Sequence, residues 1–185
     1  MSISNGSLKN LNIVNGRRIN LRLVQEKDAE FILSLRLNPA LNRFIGFTSP
    51  SLEIQREWIN HSIANLNDYM FIVEDKNGIP NGTIAIYNID FERGLAEWGR
   101  WIMKPNSSMY FSIESNILAL YFAFEKLKLK KLIGGNNNKN YSSIKFHSMY
   151  ATITSIDNLH TWYEIENSNY QKALILFKAY HKIEY

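Results

Sequence analysis

Apolar and polar positions change period several times along the chain, and each change predicts an element. Ile19, Leu21 and Leu23 alternate with Asn20 and Arg22, the pattern of a half-buried strand. Residues 27–37 then place Ala29, Ile32, Leu33 and Arg36 at helical spacing, and Asn38-Pro39 stops that helix. Ser51 is suited to cap a second helix running to about residue 66, with Glu53 and Glu57 near its positive end. Residues 69–75 and 83–90 return to a period of two on either side of an Asn77-Gly78 turn. Strands follow at 95–103, 131–135, 152–156 and 160–165, the last two a hairpin about Asp157-Asn158. Between them lie a long helix ending near Leu127 and a short one over 140–150. A last helix over 168–182 is capped by Ser168 and buries Tyr170, Ala173, Leu174 and Phe177. Hairpin-linked strands interspersed with helices predict a mixed, mostly antiparallel sheet flanked by helices, of the α/β (α+β) class.

One stretch combines these signals most densely. Residues 97–105 form an aromatic and aliphatic strand closed by Pro105, which cannot donate to a ladder. A short loop, Asn106-Ser107-Ser108, leads into a helix with Ile113, Ile117, Leu120, Phe124 and Leu127 on one face. Free backbone N–H groups at such a helix start attract phosphate, so the stretch predicts an anion-ready seat.

Composition narrows the classes. The 185 residues, 45% hydrophobic and 13% aromatic, predict one globular domain over 1–185 with a loose head at 1–16. The absence of cysteine excludes disulfides, thiolate metal sites and a cysteine nucleophile. A net charge of +4 suits an anionic small ligand, and no basic run marks a nucleic-acid arm. The histidines show no metal spacing, so no metal is expected. Residues 1–12 lack an apolar signal core, and no apolar run approaches the roughly 20 residues of a spanning helix. The expectation is a cytoplasmic protein, monomer or homodimer, without nucleic-acid or membrane partners.

Three motifs carry a family resemblance. Asn20-Leu21-Arg22-Leu23 with Lys27-Asp28-Ala29-Glu30 resembles the opening of the GNAT superfamily of N-acetyltransferases, especially the ribosomal-protein-acetyltransferase-like branch. Asn140-x-x-Ser143-Ile144-x-Phe146-His147 resembles the family's Asn-x-x-Ala-x-x-Phe-Tyr segment, with His147 at the tyrosine position. Glu97-Trp98-Gly99-x-Trp101-Ile102-x-Lys104-Pro105, with Ile113-Glu114-Ser115, resembles bacterial members that acetylate nucleotide-linked amino sugars for surface polysaccharides. The family's pyrophosphate loop carries glycines; here Asn106-Ser107-Ser108-Met109-Tyr110-Phe111-Ser112 carries none.

The resemblance implies a central sheet splayed at the cofactor site and direct acetyl transfer from acetyl-CoA to a primary amine. It implies Glu97 as base, sharing a strand face with Gly99 and Trp101 in an apolar setting. His147 is implied as the acid for the leaving thiolate. The backbone of Trp101, Ile102 and Met103 is implied to pair with the pantetheine amides. Ser108, Tyr110, Phe111, Ser112 and Ile113 would seat the pyrophosphate, and Asn140 would hold the cofactor or cap its helix. The acceptor pocket is expected under the 40–50 loop, with Arg43 for a nucleotide phosphate and Phe44 beside it. Two alternatives stand beside this reading: a protein N-terminal amine as acceptor, and a non-catalytic binding module, which the glycine-free loop favours.

Overall fold

The computed structural model describes residues 13–181. Eight strands form one sheet in the order β1-β2-β3-β4-β5-β6-β8-β7: β1 (Ile13–Asn15), β2 (Ile19–Leu23), β3 (Tyr69–Asp75), β4 (Pro80–Asp90), β5 (Leu95–Met103), β6 (Lys131–Asn137), β7 (Thr152–Ile156) and β8 (His160–Glu166). Every pairing is antiparallel except β5 with β6. The helices are α1 (Ala29–Arg36), α2 (Leu52–Ala64), α3 (Met109–Tyr121), α4 (Tyr141–His147) and α5 (Asn167–Leu176). Alternation along β3 and β4 sorts the core. Phe71, Val73, Ile84 and Ile86 face α3, on which α5 packs in turn, while Met70, Ile72 and Ala85 pack with Ala29, Ile32 and Ile59 of α1 and α2. Among the described residues no helix is long and apolar enough to cross a membrane.

Several elements differ from their sequence expectation for local reasons. The head expected to be loose covers residues 1–16; residues 1–12 lie outside the described residues, but 13–15 pair with β2 as β1. The turn after β1 is held from across the fold by Glu114, fully buried in α3, whose carboxylate accepts the backbone N–H groups of Arg17 and Arg18. Burial raises the Glu114 pKa from its ordinary value. The helix expected to reach Leu127 does so through a π turn over Phe122–Lys126, with Leu127 N–H bonded to the Phe122 carbonyl at 2.9 Å. Ser51 caps α2 as expected, its Oγ accepting from Ile54 N–H. Ser168 does not cap α5. It lies inside the helix, and Glu166 and Asn169 form a reciprocal cap instead. That helix stops at Leu176, short of 182, with a single 3-10 turn over Lys178–Tyr180 after it.

The sheet opens between its two parallel strands. β5 and β6 pair only from Leu95–Lys131 to Glu97–Ile133, whereas β6 continues beside β8 as far as Asn137. Gly134 lies where they part, and a Cβ there would stand 2.9 Å from the Trp98 ring and 3.1 Å from the Trp98 carbonyl oxygen. Gly134→Ala is therefore expected to destabilise the fold by about 1–3 kcal/mol through overpacking. A urea titration should show a lower midpoint at unchanged slope, and an unmoved midpoint would contradict this close approach.

Candidate active site

Two bulges on neighbouring strands shape the centre of the sheet. Tyr87 pairs with Glu97 and Asp90 with Leu95, so β4 carries one extra residue, at Asn88 with φ 50°. Ala85 pairs with Gly99 and Thr83 with Ile102, so β5 carries one extra residue in turn, at Arg100, also with φ 50°. Asparagine tolerates the left-handed region; arginine there stores strain of a kind that clusters at functional sites. The second bulge reverses the side-chain alternation. Trp98 and Trp101 both pack against His147 beside α3, and Trp101 Nε1 donates to Ser115 Oγ at 3.2 Å. Glu97 therefore does not share a face with Trp101, as simple alternation had implied.

The surroundings of Glu97 are polar rather than apolar. Half-buried, it accepts from Asn88 Nδ2 at 2.8 Å and is hydrogen-bonded by the Tyr87 hydroxyl. Burial, and then the Glu97 charge, pushes the Tyr87 hydroxyl up to about 12, so it stays a proton-bearing donor. Arg100 does not pair with Glu97. Its Nη1 lies 2.8–2.9 Å from both Asp68 carboxylate oxygens, and its guanidinium stacks 4.0 Å from the Tyr87 ring centroid and 4.9 Å from that of Trp58. Tyr87, Asn88 and Asp68 carry no motif that a single sequence exposes. The direct pairing of Tyr87 with Glu97 on the consecutive strands β4 and β5 brings the first two to the site, and Arg100 brings Asp68.

His147 fills the wedge where β5 leaves β6. Its ring meets Trp98 edge-on at 4.4 Å and also contacts Trp101, Phe146, Tyr150 and Tyr163. Its Nδ1 lies 2.8 Å from Asn136 Oδ1; since that oxygen only accepts, Nδ1 carries the hydrogen. Among the described residues, His147 Nε2, Trp98 Nε1, Tyr150 Oη and Tyr163 Oη are buried without a protein partner. Desolvation drives the His147 pKa down to about 3, so the imidazolium is not populated at neutral pH.

The strand edge and helix start expected to hold a cofactor are adjacent. Beyond Glu97 the β6-facing edge of β5, including Trp101, Ile102 and Met103, is released from the ladder. Ser108 caps α3 by accepting from Tyr110 N–H at 3.2 Å, which leaves its hydroxyl hydrogen to donate outward. Phe111 and Ser112 N–H both turn back to the Ser108 carbonyl, and Ile113 is buried. The Tyr110 ring sits under the Arg18 guanidinium at 4.6 Å. Asn106 adopts φ 63°, so this glycine-free loop reaches the left-handed region through asparagine. Asn140 caps α4 by accepting from Ser143 N–H at 3.4 Å. No group of three or more His, Asp or Glu is placed to hold a metal ion among the described residues.

A cavity of about 410 Å³ opens on the α1–α2 side of β5. Arg36 of α1, Thr48 and Ser49 of the following loop, Gln55 and Trp58 of α2, and Arg100 and Ile102 of β5 line it. Arg43 and Phe44, expected there, lie on an exposed 3-10 turn outside the lining. Arg36, the last residue of α1, and Arg100 are the arginines in the lining.

The family described as the acetyltransferase (GNAT) domain matches residues 18–149. No functionally curated relative matches the sequence. Among solved structures the chain is similar to apo FdhC, a nucleotide-linked sugar GNAT, at 29% identity over 92% of this chain and 98% of that one, with a TM-score of 0.80. It is also similar in fold to a variant of the spermidine N-acetyltransferase SpeG from Vibrio cholerae, at 20% identity over 83% and 96% of the two chains, TM-score 0.72. A GCN5-related N-acetyltransferase from Brucella melitensis matches at 18% identity over 90% and 84%, TM-score 0.74.

A neutral, buried His147 makes a prediction about stability. Its pKa falls from 6.5 in the unfolded chain to about 3 in the fold, so its contribution is whole above pH 6.5 and is lost as pH falls toward 3. The slope is about 1.4 kcal/mol per pH unit, or about 2 kcal/mol between pH 6.5 and 5. His147→Phe should remove that share of acid sensitivity, measured as the difference between the two proteins' urea stabilities across this range. Equal slopes would place the ring in contact with water. With the splayed strands, the capped helix and the matched domain together, the chain belongs to the GNAT acetyltransferase family and is an acetyl-CoA-dependent N-acetyltransferase.

Proposed function

We propose that the chain moves the acetyl group of acetyl-CoA directly to the primary amine of a nucleotide-linked amino sugar. The observation that carries this reading is the double use of β5. Its edge beyond Glu97 is free toward β6 for the donor, while its bulged face at Arg100 and Ile102 walls the 410 Å³ cavity for the acceptor. That volume lies within the range of small-molecule sites. Likeness over nearly the whole length to FdhC, a nucleotide-linked sugar GNAT, supports the sugar acceptor.

In this proposal the free edge of β5 over Trp101, Ile102 and Met103 takes the pantetheine amides as an added strand would. Ser108, Tyr110, Phe111, Ser112 and Ile113 form the pyrophosphate end of the seat, and Asn140 serves the cofactor while capping its helix. The amine nitrogen attacks the thioester carbonyl carbon, the C–S bond breaks with its electron pair on sulfur, and the amine proton passes to Glu97. Asn88 and Tyr87 fix that carboxylate, and Tyr87 links it to Arg100 at the cavity wall. His147 enters as a neutral ring that orients the wedge through Asn136, because its protonated form is absent at neutral pH. A protein N-terminal amine fits less well, since an arginine-lined cavity, not an acidic groove, meets the acceptor.

Two measurements test the proposal together. Acetyl-CoA at about 100 times its Kd should stabilise the protein by about 2.7 kcal/mol, and Glu97→Gln should keep that shift. The same variant should lose about 10²–10⁴-fold in turnover, the usual worth of a positioned general base. Unchanged turnover would remove Glu97 from the chemistry. A missing thermal shift in the wild type would overturn the donor groove and favour a binding module on this fold.

A further inference from the structure

The charges lining the cavity are unevenly matched. Arg100 is neutralised by Asp68, 2.8 Å away. Arg36, also in the lining, has no carboxylate partner among the described residues. Its Nε donates to Thr48 Oγ1 at 2.9 Å, which fixes the guanidinium plane while leaving both terminal nitrogens unspent. Burial first, and then the neighbouring Arg100, lower its pKa, so the site holds two cations that lack one counter-charge. Thr48 and Ser49 stand in the same lining; the Thr48 hydroxyl donates to the Gly46 carbonyl at 3.4 Å, whereas Ser49 Oγ accepts from Ser51 N–H and keeps its own hydrogen to donate. A planar fork with a hydroxyl donor beside it suits a phosphoryl group, whose oxygens accept in pairs.

We propose that Arg36, with Thr48, Ser49 and Arg100, is the subsite that holds a phosphoryl group of the acceptor and sets its class. This rests on the cavity being the acceptor site of the acetyltransferase, and it assigns the role to Arg36 in place of Arg43. A polyamine acceptor would bring further positive charge against two guanidinium groups, so this cavity selects against it. The fold shared with a spermidine N-acetyltransferase thus does not carry that enzyme's substrate with it.

The test uses the full chain saturated with CoA, so that a diphosphate cannot settle in the donor groove. Uridine diphosphate, inorganic phosphate and spermidine are each titrated calorimetrically. Wild type should bind uridine diphosphate, Arg36→Gln should bind it about tenfold or more weakly, and Arg36→Lys should restore part of the loss. Spermidine should not compete. Tighter binding of uridine diphosphate than of inorganic phosphate points to a nucleotide-linked acceptor, and equal binding to a sugar monophosphate; both support the subsite. Undiminished binding by Arg36→Gln, or displacement by spermidine, would overturn it. Should Arg36→Gln fail to fold, Ser49→Asp places a carboxylate in the same lining and should abolish the binding by itself. If wild type keeps its acetyl-CoA thermal shift but ignores uridine diphosphate, only the subsite falls; if both vanish, the acetyltransferase reading of the cavity falls with it.

Discussion

The structure depends on the early end of the pairing between β5 and β6. After Glu97–Ile133 the two parallel strands share no further ladder bonds, and backbone groups of β5 are left to another partner. Unpaired backbone at the centre of a sheet is costly unless something holds the strands apart and something else satisfies them. The wedge supplies the first: Trp98, His147 and Tyr163 fill the opening with rings, and Asn136 ties His147 to β6. In the proposed reading the amide groups of the donor supply the second. The same wedge explains the four orphaned polar atoms around His147, which belong to an interior built next to a binding groove rather than to a closed core.

The two bulges follow from the same constraint. A strand that serves a donor on its edge and an acceptor on its face has to turn its side chains twice over a few residues. The extra residue at Asn88 leaves Glu97 opposite Tyr87 and beside an amide donor; the extra residue at Arg100 sends Trp101 to the α3 side and the guanidinium to the cavity. Left-handed backbone at an arginine persists because its neighbours over-determine it. The Asp68 carboxylate, the Tyr87 and Trp58 rings, and the bond from Thr83 Oγ1 to the Arg100 carbonyl all fix that residue in place.

What the sequence made legible was whatever depends on period and local chemistry. The bounds of β3, β5 and β7 coincide with the runs of alternation, and the Ser51 cap and the Phe177 face of the last helix need only short-range signals. The motif order sufficed for the family, since it samples strand, loop and helix in sequence. The misses share a cause. Glu97 was placed on the Trp101 face because alternation is blind to a one-residue bulge. Arg43, expected in the acceptor pocket, lies outside the cavity lining because the path of a loop over a sheet is a tertiary fact. Ser168 was read as a cap where Glu166 and Asn169 close a two-residue exchange that competes with it. Tyr87 and Asp68, neither near a motif, could be found only through cross-strand register.

In the proposed reading, charge separates the two substrates' sides of one strand: the positive end of α3 suits a donor that carries phosphates, and the unpaired charge of Arg36 suits a phosphorylated acceptor in the cavity. Between them Glu97 is the negative group held by neutral donors, Asn88 and Tyr87, instead of by a cation. The Asp68 carboxylate holds Arg100 at the cavity wall and away from Glu97, so that the Asn88 amide and the Tyr87 phenol are left as the donors to Glu97.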